Sequence, residues 1–155
     1  MRLPRWIDDD ETVMLRLVAP GLYLGAEGAR KKMKWSLVID LYGASRVRVD
    51  TKYLLRWPML DGDPVSPALL DAAVLLVREA RGRRGPVLVH CQAGLSRSAS
   101  VVYGLLRRLD GLAHHDALHR VLVDTPGWGK LQGFPVPQTL ASVKTWVSRG
   151  SSARR

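Results

Sequence analysis

Short apolar runs alternate along this chain with segments of helical period. Residues 36–41 (Ser-Leu-Val-Ile-Asp-Leu) form one such run, closed by Tyr42-Gly43, and read as a buried strand. Residues 86–89 (Pro-Val-Leu-Val) repeat that character. Residues 22–24, after the turn pair Pro20-Gly21, read as a third strand, and 47–55, more heavily charged, as a fourth. Helical period begins after Ser66-Pro67, a serine N-cap with proline at the first helical position. Leu69, Leu70, Ala73, Val74 and Val77 then share one face, and the glycines at 82 and 85 end the helix. Residues 97–109, 116–123 and 139–147 read as further helices, and 26–34 as a short one. Strands interleaved with helices predict an α/β fold with a central, mostly parallel sheet flanked by helices.

Length is consistent with one domain. The 155 residues are enough for a single core and too few for two. A core over 12–147 is expected, with a loosely held arm at 1–11, a basic tail at 148–155, and a Gly/Pro loop at 125–137 carrying Trp128. Arg2, Arg5 and the acidic run Asp8 to Glu11 leave no apolar signal core at the start. No uncharged apolar run approaches the roughly 20 residues that span a bilayer. The expectation is a cytoplasmic monomer without a membrane span.

Charge and cysteine content narrow the classes. Lys plus Arg number 24 against 14 Asp plus Glu, a net charge of +10. A field of that sign draws anions without choosing among them. The positive charge is scattered, with no basic helix or aromatic-interleaved stripe, so no obligate nucleic-acid partner is expected. One cysteine excludes an internal disulfide framework and fits a reducing compartment. His115 and His119 stand one helical turn apart but lack a third ligand at metal spacing, and they read as surface residues. The five tryptophans read as core and rim packing.

The chemistry concentrates in Val87-Leu88-Val89-His90-Cys91-Gln92-Ala93-Gly94-Leu95-Ser96-Arg97-Ser98. A buried strand delivers Cys91 to its C-terminal end, and Arg97 opens a helix six positions on. Such a phosphate-binding loop between a buried strand and a helix can turn its backbone N–H groups inward on an oxyanion. The substrate-binding residues are then Gln92, Ala93, Gly94, Leu95, Ser96 and Arg97. Gly94 frees the backbone where a Cβ would hinder it. The same inward dipoles favour a thiolate at Cys91. Arg97 offers two parallel donors to phosphoryl oxygens, which lysine cannot do. Ser98 can donate to the sulfur when Cys91 leaves, and His90 supports the loop through its ring hydrogen bonds. Cys91 alone would read as a small core residue; the spacing to Arg97 and Ser98 makes it a candidate nucleophile.

His90-Cys91-x-x-Gly94-x-x-Arg97-Ser98 resembles the signature of the protein tyrosine phosphatase superfamily, and the fuller string is similar to its dual-specificity protein phosphatase branch. Pro20 to Gly25 resembles that family's first strand. Trp57-Pro58-Met59-Leu60-Asp61 resembles the segment that carries its general acid. The resemblance runs from residue 20 to about 123. Beyond it, Pro126 and a long Gly/Trp loop stand where the family has a shorter loop with an asparagine.

The resemblance implies a cysteine-dependent phosphatase acting through a phosphocysteine intermediate, without metal or organic cofactor. Asp61 is the implied general acid, and Asp63, on the same stretch before Pro64, is the alternative. No long N-terminal extension of the kind that deepens the pocket in tyrosine-only relatives is present. Phosphorylated proteins bearing phosphotyrosine or phosphoserine and phosphothreonine are therefore the implied substrates. The uncharged interior of the loop argues against a phosphoinositide headgroup or an RNA 5′-phosphate; a phosphatase acting on either stays open as an alternative, as does, from another class, a phosphate-binding module with weak catalysis. Without a resolving cysteine, Cys91 is expected to be inactivated by peroxide in a dose-dependent way.

Overall fold

The two apolar runs lie side by side at the middle of one sheet. The structure, a computed structural model, describes residues 15–60, 62–92, 97–122, 140 and 142–148. The strands are β1 (Leu15–Ala19), β2 (Leu22–Gly25), β3 (Trp35–Asp40), β4 (Thr51–Arg56) and β5 (Val87–His90), in the spatial order β1-β2-β5-β3-β4. From β2 to β4 every pairing is parallel, and β1 folds back antiparallel on β2. The helices are α1 (Pro67–Gly82), α2 (Arg97–Leu109) and α3 (His114–Leu122), with a 3-10 helix at Glu27–Lys31 and helical residues at 142–148. This is the mostly parallel α/β sheet that the pattern of the chain predicts.

Period two divides each central strand between two cores. Leu37 and Ile39 of β3, Val87 and Val89 of β5, and then Cys91 join the main core with α1 and α2. Val38 and Leu88 face the other way, into a cluster with Leu15, Trp35 and Ala29 of the 3-10 helix. Both faces are covered, so these strands read as continuous apolar runs rather than alternating ones. Trp35 closes the smaller cluster: its indole N–H donates to the Ala29 carbonyl at 3.3 Å, and its ring meets Tyr23 edge-on at 5.2 Å. In α1 the buried positions are the expected face, Leu69, Leu70, Ala73, Val74 and Val77, extended by Ala80.

The strand β1 has no counterpart in the sequence pattern. Its second residue, Arg16, is buried, which spoils the apolar signal. Tertiary partners explain it: the Arg16 guanidinium donates to the Arg120 carbonyl, and Arg120 donates to the Val18 carbonyl at 2.6 Å. The helix expected over 26–34 contracts to the 3-10 helix, because only Ala29 and Arg30 find burial there. The strand expected from residue 47 begins at Thr51, where its ladder with Trp35 of β3 starts. The helix expected from 116 begins at His114, whose ring is hydrogen-bonded to the Tyr103 hydroxyl at 2.8 Å.

Candidate active site

In a parallel sheet the carboxyl ends of the strands open a crevice where ligands are commonly held, and His90, Cys91, Gln92, Arg97 and Ser98 lie at that end. β5 finishes at His90, and the chain re-enters regular structure at Arg97, the first residue of α2. Cys91 and Gln92 are described there, while Ala93, Gly94, Leu95 and Ser96 lie outside the described residues. The Gln92 carbonyl accepts from the Glu27 N–H at 3.1 Å, which fixes the start of the loop to the 3-10 helix.

Strand period places Cys91 on the α2 side of the sheet, at 2% exposure. Its Sγ lies 3.2 Å from Oγ of Ser98, which is fully buried in the first turn of α2. Arg97 donates from Nη1 to the Met59 carbonyl at 2.7 Å, and its guanidinium carbon lies 5.9 Å from the centre of the Tyr42 ring. Its Nε is buried and has no hydrogen-bond partner among the described residues. A buried donor left unmade is unfavourable. An oxyanion bound beside Cys91 would satisfy it while Met59 keeps Nη1 in place.

His90 points to the opposite face of the sheet from Cys91. Its Nδ1 is 3.0 Å from the Cys91 carbonyl, so Nδ1 carries the hydrogen and donates. Nε2 faces the Asp40 carboxylate at 3.7 Å. Burial lowers the His90 pKa below its ordinary value; the bond to Cys91 and the Asp40 and Glu27 carboxylates oppose that shift, and Arg30 adds to it. The ring lies beneath the loop, joined to it through the Cys91 carbonyl.

Asp40 is the residue that motif reading passes over. It is fully buried, and register places it directly beside His90 on β5 and Arg56 on β4. One carboxylate oxygen accepts from the N–H groups of Tyr42 and Gly43, each at 2.9 Å. The other lies 3.5 Å from the buried Arg30 and 3.6 Å from Arg56. A buried carboxylate must be paired in this way, and the pairing shapes the turn after β3. The sequence carried one signal: an aspartate inside an otherwise apolar run. Nothing in the sequence distinguished Arg30 from its basic neighbours.

The turn in question supports the segment expected to carry the acid. Gly43 has φ +77, and a Cβ there would lie 2.4 Å from Cγ of Pro58, so glycine is required on both grounds. Trp57 donates to the Asp40 carbonyl at 2.8 Å and Met59 to the Leu41 carbonyl at 3.0 Å, laying residues 57–59 along the end of β3. Asp61 lies outside the described residues. Asp63 is exposed, and its N–H donates to the Leu60 carbonyl at 3.1 Å. His115 and His119 are exposed on α3, and among the described residues no group of three His, Cys, Asp or Glu gathers that could hold a metal. No helix among them is long and apolar enough to cross a membrane. Trp35 and Trp146 are buried and Trp57 is half-buried, while Trp6 and Trp128 lie outside the described residues.

Comparison with known proteins bears on this arrangement. The family model "Dual specificity phosphatase, catalytic domain" matches residues 22–128. Human dual specificity protein phosphatase 22 is 28% identical over 111 residues, which make up 67% of this chain and 60% of that protein. Human dual specificity protein phosphatase 12 is 34% identical over 65 residues, 42% of this chain and 19% of that protein. The chain thus spans less than two thirds of the length of these curated relatives. The crystal structure of human DUSP28 matches with a TM-score of 0.69 at 24% identity, covering 88% of this chain and 95% of that one, a likeness of fold.

Proposed function

This chain belongs to the dual specificity phosphatase catalytic-domain family, and from that premise we propose that it is a cysteine-dependent phosphomonoesterase of phosphoproteins. Residues 12–147 act as one catalytic domain, on phosphotyrosine and on phosphoserine or phosphothreonine. The observation that carries the reading is the Cys91 sulfur 3.2 Å from the Ser98 hydroxyl, at the start of the helix that Arg97 opens.

The Cys91 thiolate attacks phosphorus, and the bond from phosphorus to the ester oxygen breaks. Asp61 gives its proton to the departing oxygen. The free Nε edge of Arg97 and the amides of residues 92–96 hold the non-bridging oxygens. Water then attacks the phosphocysteine, the Asp61 carboxylate takes the proton, and the sulfur leaves with the Ser98 hydroxyl donating to it. His90, through the Cys91 carbonyl, keeps the loop in register. The uncharged loop interior favours a single phosphate on a protein over a polyphosphorylated headgroup.

The test is hydrolysis of p-nitrophenyl phosphate, with chelator present, by the parent, Cys91→Ser, Asp61→Asn and Asp63→Asn. Activity is expected to vanish in the cysteine variant and to fall about 10²-fold or more in Asp61→Asn. A fall in Asp63→Asn instead would move the acid to Asp63. A parent inactive between about pH 5 and 8, where thiolate and acid must coexist, would make the chain a phosphate-binding module. Phosphopeptides assayed beside phosphoinositides then test the substrate class, and faster turnover of the lipid would reverse it.

A further inference from the structure

At the other end of β5 from Cys91, α1 ends in an unusual way. The Arg84 N–H donates to the Arg81 carbonyl at 2.9 Å and the Gly85 N–H to the Ala80 carbonyl at 3.0 Å. That pair of bonds is a Schellman cap, whose left-handed position is normally glycine. Here it is Arg84, at φ +59. Among the described residues the other positive-φ positions are all glycines: Gly21, Gly43, Gly62 and Gly111. A side chain in that conformation strains the backbone, and such an outlier invites a functional explanation.

The Arg84 side chain lines a cleft of about 390 Å³ together with Pro20, Gly21, Arg81 and Gly85. That volume is in the range of small-ligand sites. No carboxylate among the described residues lines it. Arg81 is held rigid by Asp110, with contacts of 2.7 and 3.4 Å, and Arg83 is paired with Glu79 at 2.7 Å. Arg84 makes no side-chain hydrogen bond or ion pair among the described residues. The cleft therefore has one guanidinium, Arg81, already paired with Asp110, and one, Arg84, with no ion-pair partner among the described residues.

We propose that this cleft is a second oxyanion site, separate from the Cys91 loop, that takes a phosphate group through the guanidinium of Arg84, beside the Asp110-paired Arg81. Planar guanidinium forks match phosphate oxygens in pairs, and the net charge of +10 draws such ligands toward the surface. The phosphate is either free, on a small metabolite, or displayed on a lipid headgroup.

Arg84→Gly makes the test clean, because glycine is the favoured residue at this cap and the variant is expected to melt at or above the parent temperature. Backbone amide spectra are followed for the parent, Arg84→Gly and Arg84→Gln during titration with inorganic phosphate. In the parent, the Gly21, Arg84 and Gly85 amides shift and saturate independently of the Cys91 and Gln92 amides. In both variants binding at the cleft weakens about tenfold or more, the loss of one charge-assisted contact, while p-nitrophenyl phosphate turnover is unchanged. Sedimentation with phosphoinositide vesicles forms the second arm. Vesicle binding lost in Arg84→Gly assigns the site to a headgroup, and phosphate binding without vesicle binding assigns it to a soluble ligand. Cleft amides that shift in neither arm, or equally in parent and variants, overturn the proposal.

Discussion

Nη1 of Arg97 donates to the carbonyl of Met59 at 2.7 Å across 38 residues of sequence. The bond joins the residue that opens α2 to the segment following β4, so the side chain proposed to bind the anion is tied to the stretch before Asp61. It also leaves Nε of the guanidinium without a hydrogen-bond partner among the described residues.

Lysine cannot give Met59 one donor and still present a planar pair of donors to an anion, because its ammonium is a compact point charge without the guanidinium fork. Arg97→Lys should lower kcat on p-nitrophenyl phosphate by about 10²–10³-fold, the range for losing a preorganised donor to transition-state charge. Met59→Ala keeps the carbonyl and should remain near the parent rate. Steady-state kinetics of the two variants check the pair, and comparable losses in both would show that the side chain of Met59, not its carbonyl, matters.

Ser98 lies 3.2 Å from the Cys91 sulfur and is fully buried, and its proposed task is to donate to the sulfur when that atom carries charge. Ser98→Ala should slow breakdown of the phosphocysteine by about 10–100-fold, the worth of one hydrogen bond to a charged group. Stopped-flow release of p-nitrophenol should then show a burst that precedes a slower steady state. A variant with parental kcat and no burst would remove Ser98 from the reaction.

Asp40 accepts from two backbone amides and balances a buried arginine. Asp40→Ala leaves Arg30 buried without its counter-charge and should destabilise the fold by about 3–5 kcal/mol. Asp40→Asn retains an oxygen for Tyr42 and Gly43 and should lose less. Urea unfolding midpoints rank the three proteins, and equal midpoints would contradict the buried pair.

Burial lowers the His90 pKa below its ordinary value of 6.5. The folded chain therefore takes up that proton at lower pH than the unfolded chain. Between the two values the unfolded state binds more protons, so stability rises with pH. The contribution is complete above about pH 6.5 and is lost as pH falls below it. His90→Asn keeps a donor for the Cys91 carbonyl and should flatten the acid side of the stability profile relative to the parent. Profiles that run parallel through that range would assign the acid sensitivity to other groups, His114 among them, whose pKa burial also lowers.

Much of this was legible in the chain because it depends on local periodicity. The runs Leu37-Val38-Ile39 and Val87-Leu88-Val89 became the central strands, α2 spans the residues its pattern marked, and α1 buries the predicted stripe. Cys91, Arg97 and Ser98 were legible together because a strand, a short loop and a helix fix their neighbourhood within eight residues. What failed locally was decided at a distance. β1 exists because Arg16 and Arg120 exchange bonds with carbonyls 104 and 102 residues away. The 3-10 helix is limited to the stretch that covers the second face of the sheet.

The sequence by itself determined an alternating α/β chain, a strand-to-helix loop with cysteine and arginine at its ends, and a basic surface. Those follow from residue types at short spacing, where backbone geometry leaves little choice. Only the tertiary structure decided that Asp40, Arg56 and His90 share one row across three strands, and that Arg97 reaches Met59. It alone revealed an arginine in a glycine conformation beside a basic cleft. The physical reason is that sheet register and loop closure bring together residues far apart in the chain, and no local pattern encodes which strand will lie beside which.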